Sequence, residues 1–184
     1  VALIVIFLWL EWGPQRGAPW VWLPLALPAL PLVTGQYAIA LHLGLDGHYA
    51  AVLWSHLLWV LPWMLLVLQP AWQRLDPRLI LTARTLGWRR AKIFCLLKCP
   101  LLVRPALLAF ATGFSVSMAQ YMPTLWLGAG RFATLTTETV ALSSGGSIPV
   151  LANRALGLLL VTGTVFGLAS LFSRLAGRYR QGLR

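Results

Sequence analysis

Three stretches of this chain run twenty residues or more without a charged side chain: Trp20–Leu43, Tyr49–Leu68 and Pro105–Leu127. At about 1.5 Å per helical residue, each is long enough to cross a hydrocarbon core of about 30 Å. A lipid core offers a backbone no hydrogen-bond partner, so such runs must be helices or strands of a closed barrel. Their length and lack of strict alternation select helices. A fourth run, Ala155–Phe172, is shorter but equally free of charge, with Asn153 and Arg154 placed to snorkel at its outer end. Composition agrees: 59% of the 184 residues are hydrophobic and 10% are charged, against about 25% charged in ordinary globular domains. The expected fold is all-α, a polytopic transmembrane helical bundle, with residues 1–184 forming one domain.

The start of the chain differs. Val1–Leu10 is apolar and Glu11 ends the run. Ten helical residues reach about half a bilayer. A signal peptide would carry an initial Met and a basic start, and neither is present. Val1–Leu10 therefore reads as the truncated tail of a span that began earlier, and the chain as a C-terminal fragment.

The charges set an orientation. Gln69–Arg104 holds eight Lys/Arg and one acid, Asp76, and Ser173–Arg184 holds four Arg and no acid. With four spans after Val1–Leu10, these segments and the Glu11–Pro19 loop with Arg16 share one side. That side carries thirteen basic residues. The other has Arg131 and Arg154, offset by Asp46 and Glu138. A basic excess marks the cytoplasmic face, so the C-terminus is expected there. The net charge of +11 then needs no nucleic acid, and no nucleic-acid-binding signature is present. Cys95 and Cys99, four apart, fit neither a redox nor a zinc spacing and read as small buried residues.

Within the spans, two features stand out. Trp20–Leu43 carries Pro24, Pro28, Pro31, Gly35 and Gln36, which imply a kinked or partly unwound helix, either structural or lining a cavity. In Pro105–Leu127, Ala109, Gly113 and Ser117 stack at four-residue spacing, and Gln120 and Thr124 continue that face. This face is either a helix–helix interface or the lining of a polar pathway through Gly113, Ser117, Gln120 and Thr124. Leu127–Pro149 is a Gly/Ser/Thr-rich outer connection, whose middle, Leu135–Leu142, is expected to form a short helix ended by Gly145–Gly146. Gly163 and Gly167 make a GxxxG, a mark of close packing.

The cytoplasmic stretch 70–100 interrupts the apolar pattern. Asp76–Pro77 is a helix start. Leu79, Ile80, Ala83 and Leu86 then share one apolar face, and Gly87 can end the helix in the left-handed conformation. A second helix places Ile93, Phe94 and Leu97 on one side and Arg89, Arg90 and Lys92 on the other, and Pro100 is expected to stop it. Such an elbow either anchors to anionic lipid or docks into a partner's groove.

This stretch resembles the EAA loop of binding-protein-dependent ABC transporter permeases of the MetI-like fold. The family pattern is E-A-A-x-x-x-G followed by a basic–apolar helix ending in L-P. Ala83, Gly87 and Pro100 match it, while Leu81 and Thr82 stand where the family has Glu and the first Ala. "LPLALPALPLVTG", "RLDPRLILTARTLG" and "SVSMAQYMPTL" extend the resemblance over nearly the whole chain, with Gln120 where Glu is common. The pattern lies near that of the iron/thiamine fused-permease group. The resemblance implies a permease half of an ATP-driven importer in a bacterial inner membrane. Cytoplasmic ATPase subunits would grip the loop at Leu79, Ile80, Ala83, Leu86, Gly87, Arg89 and Arg90. A second permease half, separate or fused, and a periplasmic substrate-binding protein would complete it. The chain itself carries no P-loop, so it is not expected to be the enzyme, and no cofactor or metal is implied.

Other classes fit less well. A proton- or sodium-coupled transporter places ionisable groups inside the membrane, yet no acid falls in the runs above, and His56 reads as a structural residue. His42, Asp46 and His48 near the outer turn read as solvated rather than as a metal site. A purely anchoring subunit has no use for the Gly elbow. The transported substrate is not named by any of these residues.

Overall fold

In the computed structural model, residues 1–13, 19–143, 145 and 147–178 are described, and the structure is all-helical among them. Arg16, Ser144, Gly146, Arg180 and Arg184 lie outside the described residues, as does the Arg178 side chain. In chain order the elements are α1 (Ala2–Trp12), a 3-10 turn (Pro19–Trp22), α2 (Leu23–Ala26), α3 (Ala29–His42), α4 (Tyr49–Gln73), α5 (Pro77–Thr85) and α6 (Arg90–Ile93). A π turn (Phe94–Lys98), α7 (Cys99–Met118), α8 (Tyr121–Leu127), α9 (Leu135–Ser143) and α10 (Ile148–Arg178) follow. Three helical stretches are long and apolar enough to cross a membrane: Tyr49–Gln73, Arg90–Met118 and Ile148–Leu175.

α4 is the central helix. It packs along α7, which in turn carries α10 on its other flank. Towards the end that carries the loop 74–89, Ile6 of α1 joins Val60, Met64, Leu65, Leu68 and Ala109 in one core cluster. Towards the opposite end, Val33 and Ala40 of α3 meet Ala51, Val52 and Leu127 in a second. α10 is peripheral, with Leu156, Leu159, Leu160, Leu168 and Phe172 exposed, and Gly157, Gly163 and Gly167 face open space. The GxxxG therefore packs against nothing within the described residues.

Three features of the spans go beyond the sequence pattern. The stretch Trp20–Leu43 is kinked as expected, but sharply: the pair Pro19–Ala26 and Ala29–His42 bends by 116°, the geometry of a broken span or of a re-entrant loop. Leu27, forced away from helical geometry by the following proline, is extended (φ −94°, ψ 148°). The 14 residues of α3 reach about 21 Å, short of a full bilayer core. Secondly, Pro100 does not stop the loop's second helix. The chain is helical from Arg90 to Met118, and the π turn at Phe94–Lys98 widens the helix where a proline would break regular pairing. Thirdly, the Pro105–Leu127 stretch breaks at Ala119–Gln120, where Gln120 leaves helical geometry (ψ 88°).

Glu11 does not end α1 either; the helix runs on to Trp12 with Glu11 buried inside the fold. Cys95 is exposed and Cys99 half-buried, so only the second sits inside the packing, and both are free thiols. Leu135–Ser143 is helical as the sequence suggests. Arg154 lies in α10 and pairs with Glu138 of α9 at 3.2 Å, an exposed bridge of small energetic weight.

The approach of α7 to α4 is closest at Gly113. A Cβ built there would overlap Met64 Sδ and lie 3.1 Å from Val60 Cγ1. Substituting Gly113 with Val is therefore expected to overpack the interface by about 1–3 kcal/mol. The check is the thermal unfolding midpoint of the purified protein in detergent, which should fall for Gly113→Val and stay unchanged for Gly157→Val, which meets open space.

Candidate functional site

Two regions collect the polar and charged side chains: the loop at the inner ends of α4 and α7, and the helix break at Gln120.

The loop begins as the sequence dictates. Asp76 caps α5, its Oδ1 accepting the Arg78 backbone N–H at 2.9 Å. Gly87 takes φ +74°. The Gly87 N–H donates to the Arg84 carbonyl at 2.9 Å and the Trp88 N–H to the Ala83 carbonyl at 3.1 Å, which closes the helix end. Of the residues on the apolar face, Leu79 and Leu86 are exposed and Ile80 is half-buried, whereas Ala83 is 6% exposed. Ala83 thus supports the elbow from within rather than presenting surface. Arg89 is exposed at the start of the second helix.

Arg90, half exposed, is tied to the buried Glu11. Its Nε donates to Glu11 Oε1 at 3.0 Å, and its Nη2 donates to the Glu11 main-chain carbonyl. Lys98 donates to the second carboxylate oxygen, Oε2. The Glu11 side chain is 2% exposed and that of Lys98 13%. Removing one partner of a buried pair leaves the other uncompensated, at a cost of about 3–5 kcal/mol. Each cation also lies over an indole: Arg90 Cζ is 5.7 Å from the Trp12 ring centroid and Lys98 Nζ is 4.7 Å from that of Trp72.

At the helix break, His56 of α4 bonds two residues that the sequence pattern stacked on one face. Its Nδ1 lies 2.8 Å from Ser117 Oγ, before the break, and its Nε2 2.8 Å from Thr124 Oγ1, after it. Thr124 has one hydroxyl hydrogen and gives it to the Gln120 carbonyl at 2.6 Å. Thr124 Oγ1 must therefore accept from His56 Nε2–H, which leaves Nδ1 of the neutral ring to accept from Ser117. This clamp satisfies polar groups that a helix break frees inside an apolar environment. Beside it, Ser55 donates to Gln36 Oε1 at 2.8 Å.

The four expected lining residues are distributed unevenly. Gly113 and Ser117 border a cavity of about 310 Å³ with His56, Val60 and Met64. Gln120 borders a separate cavity of about 420 Å³ with Val33, Trp59, Trp63 and Tyr121. Thr124 is fully enclosed. Gln36 Nε2, Trp59 Nε1 and Gln120 Oε1 are buried with no partner among the described residues. His42, Asp46 and His48 do not converge; among the described residues no three His, Cys, Asp or Glu side chains are grouped to hold a metal. Sequence reasoning missed Glu11 and the partners of His56. The one signal for Glu11 was a lone acid beside an excess of cations; the His56 contacts span 61 and 68 residues and left none.

Long apolar helices around a central pair, with a basic helix–Gly–helix segment between them, define a polytopic permease-type membrane protein. No family model matches the chain. It is 65% identical over 184 residues to the inner membrane ABC transporter permease protein YnjC of Escherichia coli (strain K12), covering 100% of this chain and 36% of that relative. It is 30% identical over 122 residues to the spermidine/putrescine transport system permease protein PotC homolog of Mycoplasma genitalium, covering 62% of this chain and 42% of that relative. Along its whole length the chain is thus similar to part of an inner-membrane ABC transporter permease. It spans less than half the length of either relative.

The His56 clamp is open to a double-mutant cycle. Thr124→Val leaves the Nε2–H without an acceptor, a loss of about 1–3 kcal/mol. His56→Leu together with Thr124→Val should cost less than the sum of the single changes, with a coupling of about 0.5–3 kcal/mol by denaturant unfolding in detergent.

Proposed function

We propose that this chain forms a permease half of an ATP-driven importer and docks a cytoplasmic ATPase subunit through the loop 70–100. The observation that carries this reading is the elbow: the short helix α5 meets the long helix that begins at Arg90 through a left-handed glycine, Gly87, and α5 with its C-cap leaves Leu79, Leu81 and Leu86 exposed. Exposed leucines on a short, capped helix suit a hydrophobic groove in a partner. In this reading Leu79, Ile80 and Leu86 enter the groove, Arg89 flanks it, and Gly87 sets the angle. Ala83 supports the elbow from inside, and Arg90 ties it to Glu11. The ATPase would hydrolyse ATP; the permease would carry the motion. The proposed partners beyond it are a second permease half, a periplasmic binding protein and membrane lipid.

The pathway is proposed to run past the helix break. Three buried polar atoms without partners lie on Gln36, Trp59 and Gln120. A buried polar atom left unsatisfied costs about 1–3 kcal/mol, a cost that a conformation hydrating these three would relieve. Gly113, Ser117, Gln120 and Thr124 are the proposed lining of the opened route. Coupling to a proton or sodium gradient draws no support from Glu11, because both its carboxylate oxygens are engaged by Arg90 and Lys98.

Orientation follows from charge: the loop and C-terminus are proposed to be cytoplasmic. A cysteine introduced at Asp46, in the turn between α3 and α4, should react with an impermeant thiol reagent in intact cells, and one at Gln73 should not. Labelling at Gln73 alone would reverse the orientation.

Docking is tested at Gly87. A Cβ at left-handed φ costs about 1–2 kcal/mol, and a side chain there meets nothing within 4 Å. Gly87→Trp should therefore insert normally and project its indole into the partner's space. The expected result is loss of ATPase co-purification and of substrate-stimulated ATP hydrolysis in reconstituted vesicles. Full retention of both would leave lipid anchoring as the role of the elbow.

A further inference from the structure

The two helices of the elbow are attached to the rest of the protein very differently. α5 makes little contact with the other helices, and among the described residues it forms no ion pair. Residues 90–98 are fixed by a compact block. Glu11, one residue from the end of α1, offers both carboxylate oxygens and its main-chain carbonyl to Arg90 and Lys98. Phe94, between those cations in sequence, stands at ring-centroid distances of 5.8 Å from Phe7, 5.5 Å from Trp12 and 6.5 Å from Trp72. Phe7 and Trp12 belong to α1 and Trp72 to the inner end of α4. The ion triad is thus set in an aromatic cluster that joins α1, α4 and the loop's second helix.

We propose that Glu11 is the positioning residue that transmits displacement of the docking loop to the membrane helices, by fixing α6 and the π turn to α1 as one body. This rests on the reading that the loop docks an ATPase. A load applied to α5 reaches residues 90–98 through Trp88 and Arg89. From there it can pass along the helix itself, through the π turn into α7, into α4 at Trp72, and into α1 through the ring contacts of Phe94 and the hydrogen bonds to Glu11. The charged part of the joint to α1 depends on one carboxylate, and it alone holds both Arg90 and Lys98. Charge-assisted hydrogen bonds in a buried setting are short and directional, and they resist sliding better than apolar contact does. Without the charge, Lys98 is left enclosed with no counter-ion, and the loop can be displaced while α1 stays behind. Ile6, on the same helix, packs on Val60, Met64 and Leu65 of α4, so movement of α1 is delivered to the helix that holds His56.

The test uses the full-length protein reconstituted in vesicles with its ATPase and binding protein. Glu11→Gln preserves size and removes charge. The ATPase should still co-purify, because α5 is untouched, while uptake and substrate-stimulated ATP hydrolysis fall by about tenfold or more. Glu11→Asp, which keeps the charge, should stay within about threefold of wild type on both measures. Wild-type uptake by Glu11→Gln overturns the proposal. If wild-type protein retains no ATPase, the docking reading falls and this proposal falls with it; if the ATPase is retained and Glu11→Gln transports normally, the joint alone is wrong. Should Glu11→Gln fail to insert, a cross-link decides. Cysteines replace Trp12 and Phe94 in a background with Cys95 and Cys99 changed to Ser, and a short bis-maleimide joins them. A single body tolerates the link, so uptake stays within about threefold of the same protein unlinked. Any larger loss means that α1 and the loop must slide past one another, and the proposal is wrong.

Discussion

The close approach of α7 to α4, made possible by Ala109 and Gly113, places every other element. Lipid tails are as apolar as leucine side chains, so helices in a membrane associate through packing and hydrogen bonds rather than through expulsion of water. At Gly113 the absence of a Cβ admits Met64 and Val60 to the α7 backbone. That contact brings Ser117 within 2.8 Å of His56 and fixes where the chain can break at Gln120. It also brings the inner ends of the two helices together, so that the loop between them leaves and returns at one site.

Polar groups in this protein are few, and the ones inside are used in pairs or triads. His56 carries one donor and one acceptor and spends both, one on each side of the helix break. Glu11 meets two cations and so balances neither alone; the excess positive charge is left on Arg90, whose side chain is half exposed. Burial with full pairing is the only economical state for such groups in an apolar setting. Gln36, Trp59 and Gln120 depart from this rule, each with one atom unpartnered.

The loop combines an exposed first helix with a packed root. Its first helix is capped by Asp76 and ended by Gly87 in a left-handed conformation, both local devices written in four or five residues. Its root is the Glu11 triad and the Phe7–Trp12–Trp72–Phe94 cluster, which needs three separate segments of chain. A docking element attached to a membrane protein requires both: a surface that a partner can grip, and a fixed point against which the grip can act. The proposed division of labour between α5 and residues 90–98 follows from that requirement.

The sequence by itself determined the class of the fold, the elbow and the similarity to ABC permeases. Each of those rests on local chemistry: charge-free runs that must be helical in lipid, Asp76–Pro77 as a start, Gly87 as a left-handed stop. Only the tertiary structure decided the rest. The 116° turn at Leu27–Pro28 could not be told from an ordinary kink, because proline frees a bond without dictating the angle. Helical periodicity put Ser117, Gln120 and Thr124 on one face, but the break at Gln120 divides them between two cavities and an enclosed clamp. Pro100 reads as a stop, yet the π turn before it carries the helix through. Glu11 reads as the end of an apolar run. Its partners lie 79 and 87 residues away, and a contact of that separation is fixed by how helices pack, not by any pattern along the chain.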